Sequence, residues 1–153
     1  GLCAVAAAAA IGCDVALAAR HDHQKSAGAR LGAKEPSGEY DIAIDSAGGT
    51  SGTADACAWL RPNGRLVLLS ASWDEIRLPG LDVAAKEPTI IGATMYGRDG
   101  VVRDIDNAAA LLGSNPAIGQ SIITHRFPLA AAAEAFAVAR DRKAGAIKVV
   151  LDP

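Results

Sequence analysis

The apolar positions of this chain fall into two patterns: Ala-rich stretches, and short continuous runs of Val, Ile and Leu bounded by Gly, Pro, Asp and Asn. Ala has the highest helix propensity, so the stretch over residues 1–10 predicts a helix, with Gly12 placed to end it. Val15–Ala19 predicts a short strand. Asp22 stands at an N-cap position before a helix that ends at Gly32. "YDIAIDSAGG" predicts a strand running into a glycine-rich loop, followed by a helix over 52–60. In "LRPNGRLVLLS", Pro62 to Gly64 predict a turn before a fully apolar strand, and "TIIGATM" predicts another. Apolar runs without alternation suit strands covered on both faces, as in a parallel sheet. Helices near 103–113 and 129–141 and strands near 121–127 and 146–151 complete the pattern. Such alternation of strand and helix predicts an α/β fold with a doubly wound parallel sheet.

Composition narrows the function. The chain has 153 residues, half of them hydrophobic, enough for an ordinary domain. Its formal net charge is −2 and its basic residues are scattered, which argues against a nucleic-acid partner. The apolar run Leu2–Ile11 is too short to cross a bilayer and is followed by Asp14 and Arg20, so no membrane partner is expected. It has no basic lead and does not read as a signal peptide. Cys3, Cys13 and Cys57 lack metal-ligand spacing, and read as buried free thiols in a reducing, cytoplasmic setting. His21 and His23 have no third ligand at a supporting spacing. His125 reads as structural, and no nucleophile-elbow pattern accompanies Asp45 or Ser46.

Gly1 stands directly before the first predicted helix. In a dinucleotide-binding fold the last Gly of G-x-G-x-x-G lets helix and strand pack closely beside the pyrophosphate. Gly1, followed by helix, Gly and strand, fits that place. On this reading the first strand and two of the three glycines lie outside the chain.

Six segments, in order, carry a resemblance to the C-terminal part of zinc-type medium-chain alcohol and polyol dehydrogenases. They are "GLCAVAAAAAIGCDVALAAR", "YDIAIDSAGG", "LRPNGRLVLLS", "KEPTIIGATMYGR", "ITHRFPLAAAAEAFAVA" and "AGAIKVVLDP". The resemblance implies a Rossmann-like sheet lacking its first strand. It implies an incomplete dinucleotide-binding domain over 1–120, and a return segment over 121–153 that packs on a catalytic domain outside the chain.

The resemblance also implies a cofactor site. The position at which the family binds the ribose hydroxyls of NAD with an acid falls on Ala19, followed by Arg20 and His21. A carboxylate repels a 2′-phosphate and an Arg attracts one, so these residues lean toward NADP over NAD. Ala47 and Gly48 match the loop near the adenosine, where small residues admit close approach. Leu69, Ser70 and Ala71, with Ala93 and Met95, match strand ends that line the nicotinamide. Lys148 matches a basic residue that reaches the pyrophosphate. "IRLP" at Ile76–Pro79 matches an edge strand that relatives use for dimer contacts, so a homo-oligomer is expected of the intact protein.

The implied activity is hydride transfer between the nicotinamide and a small-molecule alcohol or carbonyl substrate. In the family the catalytic zinc and its ligands belong to the N-terminal domain, so no catalytic residue or metal ligand is assigned here, and a zinc-free quinone-reductase-like relative stays open. "LRPNGRLVLLS" also suits an S-adenosylmethionine-dependent methyltransferase core, a fold that ends in an antiparallel hairpin strand. A non-catalytic fragment is the third reading. With a strand missing beside Val15–Ala19 and Asp41–Asp45, residues 1–153 alone are expected to aggregate, to bind no dinucleotide tightly and to be inactive.

Overall fold

The computed structural model describes residues 1–70, 75–93, 95–141 and 143–153. In chain order the elements begin with α1 (Leu2–Ala10), α2 (Asp22–Arg30), β1 (Tyr40–Asp45), α3 (Gly49–Ala58), β2 (Leu60–Leu68), α4 (Gly80–Lys86) and β3 (Thr89–Gly92). They continue with β4 (Arg98–Asp99), β5 (Val102–Arg103), α5 (Asp104–Ser114), α6 (Pro116–Ile122), β6 (Ile123–Pro128), a 3-10 turn (Leu129–Ala131), α7 (Ala132–Arg140) and β7 (Lys148–Asp152). Two compact units divide the chain: Gly1 with Ser37–Asp104, and Leu2–Pro36 with Ile105–Pro153.

The first unit is built on a parallel sheet of order β1-β2-β3, with α3 and α4 as the crossovers. Side chains alternate along a strand. Ala43 of β1 and Leu66 and Leu68 of β2 therefore turn to the cluster formed with Cys57 of α3 and Leu60. Lys86 ties α4 to the end of α3 by donating to the carbonyls of Cys57 and Ala58, at 3.2 and 2.7 Å. The opposite sheet face carries the row Ile44–Val67–Ile91 across the three strands. Ile44 is 42% exposed and Ile91 40%. Covered faces on both sides, expected from the apolar runs, are thus not what these strands show. Pro62 to Gly64 form a bulge inside β2 instead of a turn before it: Tyr40 pairs with Leu60, and the register then jumps to Ile42 with Arg65. Asn63 takes φ 57° there. Helix α3 begins at Gly49 and ends at Ala58, earlier at both ends than expected. Ile76–Pro79 forms no strand, correcting the edge-strand expectation. Arg98–Asp99 and Val102–Arg103 make a small antiparallel pair.

In the second unit α1, α2 and α6 bury Val5, Ala6, Leu31, Ile118 and Ile122, with Val15 and Leu17 packed against them. Val15–Ala19 is not the expected strand. Only an isolated parallel bridge, Ala16 to Lys34, forms, with Leu17 N–H donating to the Lys34 carbonyl at 3.0 Å and Lys34 N–H to Val15 at 2.9 Å. A strand needs a ladder, and among the described residues this segment pairs on one side and briefly. Asp22 is the first residue of α2, not its N-cap. His21 holds the N-cap place, and no side chain caps the helix. Cys3 and Cys13 are exposed, correcting the reading of three buried thiols: α1 turns Val5 and Ala6 fully inward and not Cys3, and Cys13 lies past the end of that helix. The chain closes with β6, α7 and β7 as a parallel βαβ unit, and Arg126 of β6 pairs with Asp152 of β7 at 2.7 Å. A parallel closing strand removes the topological support for a methyltransferase core.

Candidate functional site

Parallel α/β sheets bind ligands beyond the carboxyl ends of their strands. In the first unit three such ends are stitched together. The Asp45 carbonyl, at the end of β1, accepts from Leu69 N–H and Ser70 N–H at 2.9 and 3.1 Å. The Leu68 carbonyl accepts from Ala93 N–H at 3.0 Å. Chain directions alone would leave these ends free to splay; the three cross-strand bonds hold them level.

Asp45 organises the loop that follows β1. It is 3% exposed. Its Oδ1 accepts from the backbone N–H of Ala47 at 3.0 Å and of Gly48 at 2.9 Å, and its Oδ2 accepts from Thr53 Oγ1 at 2.7 Å. Gly52 admits this carboxylate to the first turns of α3, since a Cβ there would lie 3.1 Å from Oδ1. Gly48 and Gly49 take φ 72° and 77°, a region L side chains avoid, so the loop can turn sharply into α3. Gly48 is the N-cap and no side chain caps the helix. Among the described residues the first N–H groups of α3 therefore stand without a side-chain acceptor, at the positive end of the helix. Gly1 lies against the same loop: a Cβ on it would come 2.8 Å from Ser46 Oγ. Ser70 Oγ is buried with no hydrogen-bond partner among the described residues. Such an atom is costly to leave unpaired and fits a site completed by a polar ligand.

Of the residues expected from sequence, Gly1, Ala47, Gly48, Leu69, Ser70 and Ala93 meet at this edge of the first unit. Met95 lies beyond β3 and is 74% exposed. Ala71 falls outside the described residues. Ala19, Arg20, His21 and Lys148 belong to the second unit. Arg20 is exposed and forms no ion pair among the described residues, Asp22 included. His21 and His23 stack, with ring centroids 5.4 Å apart. Lys148 opens β7 opposite Ile123 with its side chain exposed. His125 Nδ1 lies 3.0 Å from Thr124 Oγ1, which accepts from Ile147 N–H and so holds the turn before β7. A recess of about 180 Å³ in the second unit, lined by Ala6, Ala9, Arg30, Leu31 and Asn115, holds none of the expected residues.

Asp45 is the residue that sequence reasoning missed as a site-builder. Its signal was there: an Asp at a strand end followed by Ser-Ala-Gly-Gly is the composition of an Asx turn. Cys57, beneath the same strands, is buried. Burial pushes its thiol above the ordinary 9.0, with Asp82 adding to the rise and Lys86 opposing it. Among the described residues no three His, Cys, Asp or Glu side chains converge, so this donor set does not fit a zinc ion.

No curated protein matches the chain. The chain is similar in structure to L-idonate 5-dehydrogenase from Escherichia coli K-12, with TM-score 0.81 and 21% identity over 97% of this chain and 46% of that one. A short chain alcohol dehydrogenase from Escherichia coli CFT073, solved with NADH, aligns at TM-score 0.77 and 18% identity over 99% of this chain and 49% of that one. A protein from Sinorhizobium meliloti 1021, solved bound to NADP, aligns at TM-score 0.77 and 19% identity over the same shares. The chain thus spans about half the length of these structures, and the likeness shows a Rossmann-like α/β fold. The family profile described as zinc-binding dehydrogenase matches residues 11–151. With the parallel strands, the glycine-lined carboxyl edge and this match over nearly its whole length, the chain belongs to the zinc-binding dehydrogenase family.

Proposed function

We propose that this chain forms the cofactor-binding part of an NAD(P)-dependent dehydrogenase that oxidises or forms a small alcohol. The observation that carries the reading is the carboxyl edge of β1-β2-β3, where Asp45 holds a glycine loop and an uncapped helix start beside a buried Ser70 Oγ that has no partner among the described residues. The bound nicotinamide supplies the hydride acceptor or donor. The chain's own residues bind and orient the cofactor. The Ala47–Gly48 loop admits the adenosine by backbone approach, and Leu69, Ser70 and Ala93 stand along the nicotinamide, with Ser70 Oγ gaining a polar partner. The resemblance of the sequence alone assigns Arg20, with Ala19 in place of an acid, to a 2′-phosphate and a preference for NADP, and Lys148 to the pyrophosphate. Solved neighbours bound to NADH and to NADP support a dinucleotide of this kind. Self-association is assigned to Ile76–Pro79, where Ile76 and Leu78 are exposed.

The test is a fluorescence titration of the full-length gene product with NADPH and NADH, followed by alcohol oxidation assays with either cofactor. Saturable binding with NADPH the tighter ligand is the expected result. No binding of either dinucleotide would overturn the reading.

A further inference from the structure

The Asp45 side chain touches no position assigned to the cofactor except through the backbone it holds. Two N–H groups of the loop and the Thr53 hydroxyl converge on one buried carboxylate. Thr53 Oγ1 also lies 3.1 Å from the Gly49 carbonyl in the first turn of α3, the alternative acceptor for its one proton. Thr53 is fully buried. Without the carboxylate, Gly48 and Gly49 would be free to leave their positive φ, because glycine populates both signs about equally. The loop would then have to be ordered by the ligand, at the expense of affinity.

We propose that Asp45 is a positioning residue of the dinucleotide site: its carboxylate preorganises the loop 46–49 for the adenosine half of the cofactor. This rests on the reading above, in which Ala47 and Gly48 meet the adenosine. It goes beyond that reading by naming a residue that acts without touching the ligand, and by dividing the cofactor into a half that depends on it and a half that does not.

Asparagine separates shape from charge at this position. An Asn side chain offers one oxygen to Ala47 N–H and Gly48 N–H. Its amide can donate to Thr53 Oγ1, whose own proton then goes to the Gly49 carbonyl. Alanine offers none of these.

The experiment measures Kd for NADPH, ADP-ribose and nicotinamide mononucleotide with the full-length protein and its Asp45→Asn and Asp45→Ala variants. Circular dichroism fixes a temperature at which each variant is folded, so that a role in stability alone leaves Kd unmoved. Asp45→Ala is expected to weaken NADPH and ADP-ribose by a common factor of about tenfold or more, leaving nicotinamide mononucleotide unchanged. Asp45→Asn is expected to restore both to within about threefold of the parent. Parent-like affinity in Asp45→Ala, or equal losses for all three ligands, would overturn the proposal while leaving the cofactor reading standing. A parent protein that binds neither NADPH nor ADP-ribose would overturn both. Should Asp45→Ala not fold, Thr53→Val keeps the buried shape and removes one of the three bonds. It is expected to weaken ADP-ribose about threefold, and unchanged affinity there would likewise overturn the proposal.

Discussion

At the scale of single residues, charge and burial decide more than residue type. Arg20 is exposed. On the proposed reading it follows Ala19 at the ribose of the cofactor, where an acid would repel a 2′-phosphate. One charge-assisted contact to phosphate is worth roughly 1.5–3 kcal/mol. Arg20→Ala in the full-length protein should therefore weaken NADP by about tenfold or more while moving NAD little. Equal losses for both cofactors in calorimetric titrations would take Arg20 out of the site. Cys57 shows burial leading, with the nearby Asp82 and Asp45 adding to it and Lys86 opposing. Its folded thiol holds a proton at pH values where the unfolded thiol has lost it, since its value is raised above 9.0. Native protein then binds more protons than unfolded protein, and stability falls as pH rises. The contribution is fully present below pH 9.0 and lost as pH climbs through the raised value. Urea midpoints should drop above that pH, and Cys57→Ala should flatten the slope. A slope unchanged by the substitution would count against the thiol as its source. Maleimide should label the exposed Cys3 and Cys13 quickly in the native state and reach Cys57 only as the protein unfolds.

At the scale of elements, β2 concentrates the constraint. Its bulge lets one strand pair with Tyr40 and then with Ile42–Asp45 while skipping residues between. Gly64 makes this possible: a Cβ there would lie 2.9 Å from the Arg61 carbonyl oxygen and 2.9 Å from Leu60 Cδ2. One of those atoms is backbone, so it cannot move aside cheaply. Gly64→Ala should cost about 1–3 kcal/mol, read as a lower urea midpoint with unchanged m-value. Asn63 tolerates φ 57° because its short polar side chain suits the left-handed region, and a β-branched Val should be worse there than Gly. A Gly64→Ala protein as stable as the parent would mean that the bulge relaxes, and that the strand end at Leu69–Ser70 is not rigidly placed by it.

At the scale of the whole molecule, exposed apolar surface is the dominant feature. Ile44 and Ile91 flank Val67 on a sheet face that no described element of the first unit covers. Ile42, at 49% exposure, extends the same face. Parallel sheets are stable when both faces are packed. Residues 1–153 expressed alone should therefore bind a hydrophobic dye such as ANS and sediment as assemblies, not as a single small species. A monomer that leaves the dye dark would show that this face is tolerated in water. The two compact units also make it informative to ask whether unfolding is a single transition. Calorimetry resolving two would assign them separate cores, around Leu60 and Leu66 and around Val5 and Ile118.

The sequence by itself determined the α/β class, the strands at Tyr40–Asp45 and Thr89–Gly92, the helices at Leu2–Ala10 and Asp104–Ser114, and most of the residues that meet at the carboxyl edge. The class and the elements follow from local rules: Ala-rich helix propensity, continuous apolar strands, and glycine where a chain turns. The residues at the edge came from the resemblance of the segments to a family, not from those rules. Val15–Ala19 looked equally like a strand, but a strand is a property of pairs, and its residues find only Lys34 to bridge. α4 and α6 were invisible because each is a single short stretch whose helical state depends on its packing; Lys86 of α4 reaching the end of α3 is a tertiary fact. Pro62 to Gly64 read as a turn because turn residues look alike in a loop and in a bulge, and only pairing with β1 distinguishes the two. Asp45 makes the same point at the site. Its side chain could have faced water as any acid at a strand end does. Tertiary structure buried it, aimed two backbone N–H groups and a threonine at it, and so turned an ordinary loop into a held one.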